Sequence, residues 1–138
     1  AGVMIARGAL RTPWIFARSA ALLETGEPLP EPSLVEKLGV IRRHLELMRE
    51  HQGAEQAART MRQRISLYGK TMGHMKPFKE RIRLATSMEA MFIAIGEWRE
   101  AVGAIEFLRE STAMPKHAWY EVAELRELAG PMLKAPAA

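Results

Sequence analysis

Apolar residues recur every three or four positions along the middle of the chain, which is the spacing of one face of an α-helix. The apolar positions of the first run are Leu34, Leu38, Ile41, Leu45 and Met48. Just before them, Ser33 and Glu36 have the spacing of a capping box, in which each side chain bonds the other residue's backbone N–H. The pattern predicts an amphipathic helix that starts after Ser33 and stops near Gly53.

Three further helices continue this periodicity. The second is predicted over residues 54–68 and ends at Gly69, and the third starts at Pro77, a residue favoured in the first turn of a helix. A second capping-box pattern, Thr86 with Glu89, begins the fourth. Four helices that each have one apolar face and are joined by short connections pack most economically as a helical bundle.

The N-terminal stretch has a different pattern. Val3-Met4-Ile5-Ala6 is a short apolar run closed by Gly8, and Thr12-Pro13 then gives a helix start, with the helix predicted over residues 13–24. A strand that is apolar on both faces belongs in a parallel sheet covered by helices, and a single strand has no partner within this sequence. We therefore expect a mainly α fold, a helical bundle preceded by a strand–helix unit whose partner strands lie upstream.

Composition divides the chain into four segments. Residues 1–24 hold the strand–helix unit, and residues 25–33, with three prolines, form a stiff linker. Residues 34–98 form the helical domain. Residues 99–138 keep a helical pattern that breaks near Pro115, resumes weakly, and ends in what we expect to be a frayed tail.

The overall composition narrows the function classes. With 48% hydrophobic and 26% charged residues, the chain is globular rather than disordered. The absence of Cys excludes disulfides, thiolate metal sites and a cysteine nucleophile within these residues. The four His include no helical His-x-x-x-His pair, so we expect no metal. The sequence shows neither an apolar run of about 18 residues nor a leader pattern, so we expect a cytoplasmic protein with no membrane partner.

Charge is concentrated in the middle of the chain. Residues 59–83 contain eight Lys or Arg against one acid, a balance of +7, whereas the other twelve bases and fifteen acids sum to −3. A basic segment on a slightly acidic body indicates a polyanionic partner.

Seven of these bases are candidate contacts to a nucleic-acid backbone. They are Arg59, Arg62, Arg64, Lys70, Lys76, Lys79 and Arg83. On a helix, Arg59, Arg62 and Lys70 share a stripe opposite the apolar face. The alternative is a solvated charged face with no ligand, which is the usual situation of such residues.

A second candidate site lies where the N-terminal strand would end. A strand, a Gly-containing turn and a helix start would bring free backbone N–H groups together near Ala6, Arg7 and Gly8, an arrangement suited to a phosphate. The alternative is an ordinary strand–helix turn that happens to contain Gly and Arg.

Two segments resemble tRNA-dihydrouridine synthases. "GVMIARGALRTPWIF" is similar to the last barrel strand of that family, which typically reads GVMIGRGALGNPWIF. "RQRISLYGKT" resembles the family's RKHxxWYxKG segment at Arg62, Tyr68 and Lys70. The chain therefore resembles the C-terminal part of a tRNA-dihydrouridine synthase, over residues 1–98.

The resemblance implies a flavin enzyme in the full-length parent. There, an FMN-bearing (β/α)₈ TIM barrel reduces the C5–C6 bond of a uridine in tRNA, with NADPH as reductant, and a helical domain binds the tRNA. Residues 1–24 would be the last unit of that barrel, Ala6, Arg7 and Gly8 would hold the FMN phosphate, and residues 34–98 would bind tRNA.

The resemblance also limits what this piece can do. The family's catalytic Cys, a general acid toward the uracil ring, lies in an earlier barrel loop, so we expect no catalytic residue here and no activity of the piece alone. Ala6 replaces a family Gly, and Leu67 replaces the family Trp. The alternative function is a stand-alone, non-catalytic helical module that binds RNA or a protein.

Overall fold

The computed structural model of the protein describes residues 2–72 and 75–112. Within these ranges the chain forms six α-helices and one 3₁₀ turn, and no strand. The helices are α1 (Gly8–Arg11), α2 (Ile15–Thr25), α3 (Leu34–Gln52), α4 (Ala54–Tyr68), α5 (Lys76–Leu84) and α6 (Met88–Thr112). The prediction of a mainly α fold is confirmed.

The N-terminal strand is not formed. Residues 2–6 have no regular secondary structure, and the side chains of Val3 and Met4 are 70% and 95% exposed. A strand needs a neighbour to pair its backbone N–H and C=O groups, and no described segment supplies one. The strand–helix unit of a barrel is therefore not seen in the part of the chain that the structure describes.

The first two helices also begin differently from the prediction. Gly8 starts α1, and the Thr12 hydroxyl donates to the Gly8 carbonyl (2.9 Å) instead of capping the next helix. Trp14 precedes the first residue of α2 and makes no side-chain capping bond. The Thr12 cap was wrong because its hydroxyl closes α1 by an i→i−4 bond.

The predicted capping box of α3 is confirmed. The Ser33 N–H donates to Glu36 Oε2 (2.7 Å), and the Glu36 N–H donates to Ser33 Oγ (3.2 Å). At the other end, Gly53 has φ +82°, a conformation that only glycine adopts without strain. It lets α4 begin one residue after α3 ends.

Two details of the later helices correct the prediction. Gly69 follows α4 as expected, but its φ of −59° is right-handed, and it starts the 3₁₀ turn Gly69–Thr71. The start of α6 is capped by Ser87, whose Oγ accepts from the Ala90 N–H (3.2 Å), and not by Thr86. The start of α5 is confirmed, with Pro77 in its first turn.

The core lies between α3, α4, α5 and α6. Helix α3 packs on α4 and α6, and α5 packs on both α4 and α6. The largest fully buried side chains include Leu38, Ile41, Leu45, Met61, Ile65, Phe78, Ile82, Met91, Ile95 and Val102. Trp14 joins this core from the N-terminal segment. The helical bundle predicted from periodicity is thus formed, and the periodic apolar residues lie in its core.

Helix α6 continues without a break past position 98. Val102 and Ile105 are buried in the core, and the Leu34 N–H donates to Glu106 Oε1 (3.0 Å). The first part of the C-terminal segment therefore packs against α3. The predicted break near Pro115, the weak helix after it and the tail lie outside the described residues.

Candidate nucleic-acid interface

Helices α4 and α5 form the scaffold for most of the candidate basic residues. The Arg62 guanidinium donates to the carbonyl oxygens of Ala85 (3.0 Å) and Thr86 (3.3 Å), just after α5 ends. At the other end of α4, the Lys79 side chain lies directly against Gly69. These two contacts fix α5 antiparallel to α4.

Six basic residues follow this helix pair, and we call them the basic track. They are Arg59, Arg62, Lys70, Lys76, Lys79 and Arg83. Arg62 on α4 reaches the end of α5, and the three residues of α5 are spaced i, i+3 and i+7, on one face. From Arg59 to the end of α4 at Tyr68 the helix rises about 14 Å, at 1.5 Å per residue, and Lys70 follows in the 3₁₀ turn.

The residues of the basic track differ in whether their charged groups already have ion-pair or hydrogen-bond partners. Arg59 pairs with Glu55 (3.4 Å) and Arg83 with Glu80 (2.8 Å), both exposed pairs of the kind that contribute little and exchange readily. The three lysines make no hydrogen bond or ion pair with any described residue. They are Lys70, Lys76 and Lys79. These ammonium groups are the strongest candidates for phosphate contacts.

Arg62 has a structural role. Its guanidinium binds the carbonyls at the C-terminal end of α5, where a cation is favoured by the helix dipole. Gly69 also has a packing role, since a side chain there would collide with Lys79. Sequence reasoning gave Arg62 the same role as the lysines because spacing alone does not show which donors are already used.

Arg64 lies apart from the track, on the side of α4 that faces α3. There it lines a cleft of about 420 Å³ between α1, α3 and α4, which we call the α3–α4 cleft. The lining residues are Ala9, Leu10, Pro13, Val40, Arg43, His44, Leu47, Met48, Gln52, Thr60, Arg64 and Tyr68. Among the described residues Arg64 has no hydrogen-bond or ion-pair partner.

His44 and Tyr68 join across this cleft. His44 Nδ1 and Tyr68 Oη are 2.8 Å apart, and the rings meet edge to face. Burial lowers the pKa of His44, and the nearby Arg64 charge lowers it further. Burial raises the pKa of Tyr68 to about 12, against a smaller opposing effect of Arg64. The pair is therefore uncharged at neutral pH.

This pair is not identified from the sequence, where the four histidines are considered only as metal ligands and Tyr68 is named only in the resemblance to the family. The available signal was position: His44 lies between Ile41 and Leu45, next to the inward stripe of α3.

The residues predicted for a phosphate occupy the start of α1. The Ala9 and Leu10 N–H groups bond back to the carbonyls of Ala6 and Arg7 (3.1 Å each), whereas the N–H groups of Arg7 and Gly8 have no such bond. Arg7 is exposed, and open space surrounds Gly8. This donor set, two amides and a guanidinium, fits one phosphate group. No other described residue joins it to form a cofactor pocket.

The remaining polar groups show no second chemical site in the described ranges. Arg81, a base outside the candidate set, is largely buried and paired with Glu97. Across residues 2–72 and 75–112, no three His, Asp or Glu residues come close enough to hold a metal ion. None of the helices described there has the length and hydrophobicity needed to cross a bilayer.

The comparisons with known proteins agree on one family. The family model of dihydrouridine synthases matches residues 1–102. The chain is 30% identical over 93 residues to a tRNA-dihydrouridine synthase B of Pasteurella multocida, covering 67% of this chain and 28% of that protein. It is 32% identical over 100 residues to a tRNA-dihydrouridine synthase B of Xanthomonas axonopodis, covering 72% of this chain and 30% of that protein.

A shorter match of higher identity covers about half of the chain. Over 68 residues the chain is 43% identical to a probable tRNA-dihydrouridine synthase of Mycobacterium tuberculosis, covering 49% of this chain and 17% of that protein. The chain thus spans less than a third of the length of these relatives. No solved structure matches it.

Proposed function

Because the chain belongs to the dihydrouridine synthase family, we propose that it is the C-terminal portion of a tRNA-dihydrouridine synthase and that its helical bundle binds tRNA. The parent would be an oxidoreductase that reduces the C5–C6 bond of a uridine. The observation that supports tRNA binding is the basic track, in which three lysines have no hydrogen-bond or ion-pair partner among the described residues.

The N-terminal segment supports the proposed link to a barrel. Of the eleven large hydrophobic residues that are exposed in the described part of the chain, seven fall within the first 30 residues. They include Met4, Phe16 and Leu23, and α2 has no buried residue at all. A concentrated exposed apolar surface is typical of an interface. We assign it to contact with the other barrel units of the parent.

The residues at the start of α1 complete the proposal. Arg7 and the amides of Arg7 and Gly8 would hold the phosphate of FMN, with Ala6 alongside. When bound, the flavin supplies the redox chemistry, with NADPH as reductant. This chain would contribute the phosphate contact and the tRNA-binding surface, while the proton donor lies elsewhere in the parent. We expect a cytoplasmic enzyme, since tRNA is its substrate.

The test of tRNA binding is charge reversal in the track. Lys70→Glu with Lys76→Glu reverses two exposed charges that have no hydrogen-bond or ion-pair partner among the described residues, and it leaves the core, the Arg62 contacts and the packing of Lys79 on Gly69 in place. We expect an affinity loss of at least about tenfold near 0.1 M salt, and a salt slope, log Kd against log salt, that is smaller by about two. Fluorescence anisotropy of labelled tRNA over a salt series measures both quantities.

The matched control changes the net charge equally on another face. Arg49→Glu with Arg99→Glu alters exposed residues of α3 and α6, away from the track. This control should keep the salt slope of the unsubstituted chain. If both double variants lose affinity and slope to the same extent, the track is a solvated charged face and not the tRNA site.

A further inference from the structure

The α3–α4 cleft has the form of a small-molecule site. Its volume, about 420 Å³, lies within the usual range for ligand pockets. Two antiparallel helix faces form the walls, and one end is closed by Ala9 and Leu10 of α1 together with Pro13, which lies between α1 and α2. The opposite end lies near the α3–α4 turn, where the Thr60 hydroxyl donates to Gln52 Oε1 (3.3 Å).

The walls combine apolar area with a few polar groups. Val40, Leu47 and Met48 present apolar surface along α3. The uncharged His44 and Tyr68 pair adds hydrogen-bonding groups and the edge of an aromatic ring in the middle of the cleft. Such a mixture suits a flat, polar-edged ring better than a fully apolar ligand.

The charge of the cleft selects for an anion. No acidic residue lines it, and its two cations are Arg43 and Arg64. Among the described residues, Arg43 pairs with Glu46 (3.5 Å) and Glu50 (3.9 Å), and both contacts are long and exposed. Arg64 is half-buried and has no partner among the described residues, so its donors are available to a ligand phosphate.

The cleft adjoins the basic track across α4. Arg62 lies on one edge of the exposed face of α4 and Arg64 on the other, because two residues along a helix are turned by about 200°. Gln63 is exposed between them. A nucleic-acid strand that follows the track therefore needs to cross only one helix, about 10 Å wide, to reach the cleft.

We propose that the α3–α4 cleft binds one unpaired nucleotide of the RNA, with its base against Val40, Leu47 and Met48 and its phosphate at Arg64. The proposal rests on the proposed tRNA binding and names a second point of recognition within it. Unpaired bases in loops are the parts of a folded RNA that can be turned out and received by a pocket. A site of this kind would make binding depend on an accessible unpaired nucleotide as well as on phosphate charge.

The experiment follows His44 by NMR in the 138-residue chain. The imidazole signals of His44, assigned with His44→Gln, are recorded with a single-stranded oligouridylate, with an RNA duplex of equal length, and with free UMP. Leu47→Trp fills the cleft from a partly exposed position, and Ile93→Trp adds similar bulk on the exposed side of α6.

We expect the oligouridylate to shift the His44 signals and the duplex to leave them in place. Leu47→Trp should remove the shift and weaken oligouridylate binding about tenfold, the order of one base contact, whereas Ile93→Trp should do neither. UMP at the same concentration should shift them far less, because it lacks the contacts to the track.

Three results would overturn the proposal. The His44 signals could stay in place with all three ligands, the duplex could shift them as much as the single strand, or UMP could act as strongly as the oligouridylate, which would indicate a site for free nucleotides. The affinity of the unsubstituted chain for whole tRNA is measured separately. Strong, track-dependent tRNA binding with an unmoved His44 rejects the cleft and keeps the proposed function, whereas no tRNA binding rejects the proposed function.

Discussion

At the residue scale, one buried lysine joins the N-terminal segment to the bundle. Lys37, only 7% exposed, donates to the Thr71 carbonyl (3.0 Å), pairs with Glu31 (3.0 Å) and lies over the Trp14 ring (5.1 Å). The Glu31 carboxylate also pairs with Arg18 (2.9 Å). Burial acts to raise the pKa of Glu31, but Lys37 and Arg18 together hold it below its usual value.

Replacing this lysine should destabilise the fold. Lys37→Met keeps the apolar stem but leaves the Thr71 carbonyl without its donor, so we expect the free energy of unfolding to fall by about 1–3 kcal/mol. Lys70→Met, at an exposed position, should change it by less than about 0.5 kcal/mol. Urea denaturation measures both. Equal stability of the two variants would mean that the contacts of the Lys37 ammonium group do no more than offset the free-energy cost of removing that group from water.

His44 gives the fold a dependence on pH. Its pKa is lowered below the ordinary 6.5 because burial disfavours the imidazolium and Arg64 repels it. The unfolded chain therefore takes up this proton first as the pH falls, and stability should decrease from about pH 6.5 downward. The charged or titratable groups that face His44 are Arg64 and Tyr68 from α4 and Arg43 from α3; α1 contributes none.

The pH effect can be assigned by substitution. We expect the unsubstituted chain to be less stable at pH 5.5 than at pH 7.5, and His44→Gln to reduce that difference. His51→Gln, at an exposed position, should leave the difference unchanged. Denaturant midpoints at the two pH values give the measurement, and an unaltered pH dependence in His44→Gln would contradict the account.

At the element scale, periodicity predicted helices more reliably than their ends. The apolar spacing of α3 and α4 identified their extents, because each helix buries one face whatever its neighbours are. The caps at Thr12 and Thr86 were wrong because several hydroxyls near a helix start compete for the same N–H groups. The strand over residues 3–6 failed for another reason: its stability depends on partner strands that the described chain does not contain.

The joint between α3 and α4 tests the role of a single glycine. Gly53 has φ +82°, so Gly53→Ala should lower the free energy of unfolding by about 1–3 kcal/mol through backbone strain alone, since nothing lies close to the added Cβ. Gly96 provides the opposite case, because it lies within α6 and also has open space around it. Gly96→Ala should raise stability by about 0.5–1 kcal/mol.

Thermal or urea denaturation of the two glycine variants checks this pair. A gain in stability from Gly53→Ala would mean that the α3–α4 turn does not require a residue with positive φ at position 53. That result would contradict the assignment of backbone strain to position 53.

At the scale of the whole molecule, the sequence predicted where positive charge is concentrated but not which role each basic residue has. The excess of bases over residues 59–83 was visible in the composition, and six of the seven candidates do follow one helix pair. The structure gives these bases different roles: within the described ranges the three lysines have no hydrogen-bond or ion-pair partner, Arg62 binds the carbonyls that follow α5, and Arg64 faces α3. Those roles depend on contacts more than 20 residues apart in sequence, which local spacing does not reveal.

The central claim is that this chain is part of a tRNA-dihydrouridine synthase and binds tRNA through its basic track. The most direct measurement is the dihydrouridine content of tRNA from the source cells, by nuclease digestion and mass spectrometry, after disruption of the coding sequence and its replacement by matched variants. We predict that dihydrouridine is lost from at least one tRNA position, is restored by the unsubstituted sequence and by Arg49→Glu with Arg99→Glu, and is not restored by Lys70→Glu with Lys76→Glu. An unchanged dihydrouridine content after disruption would contradict the account.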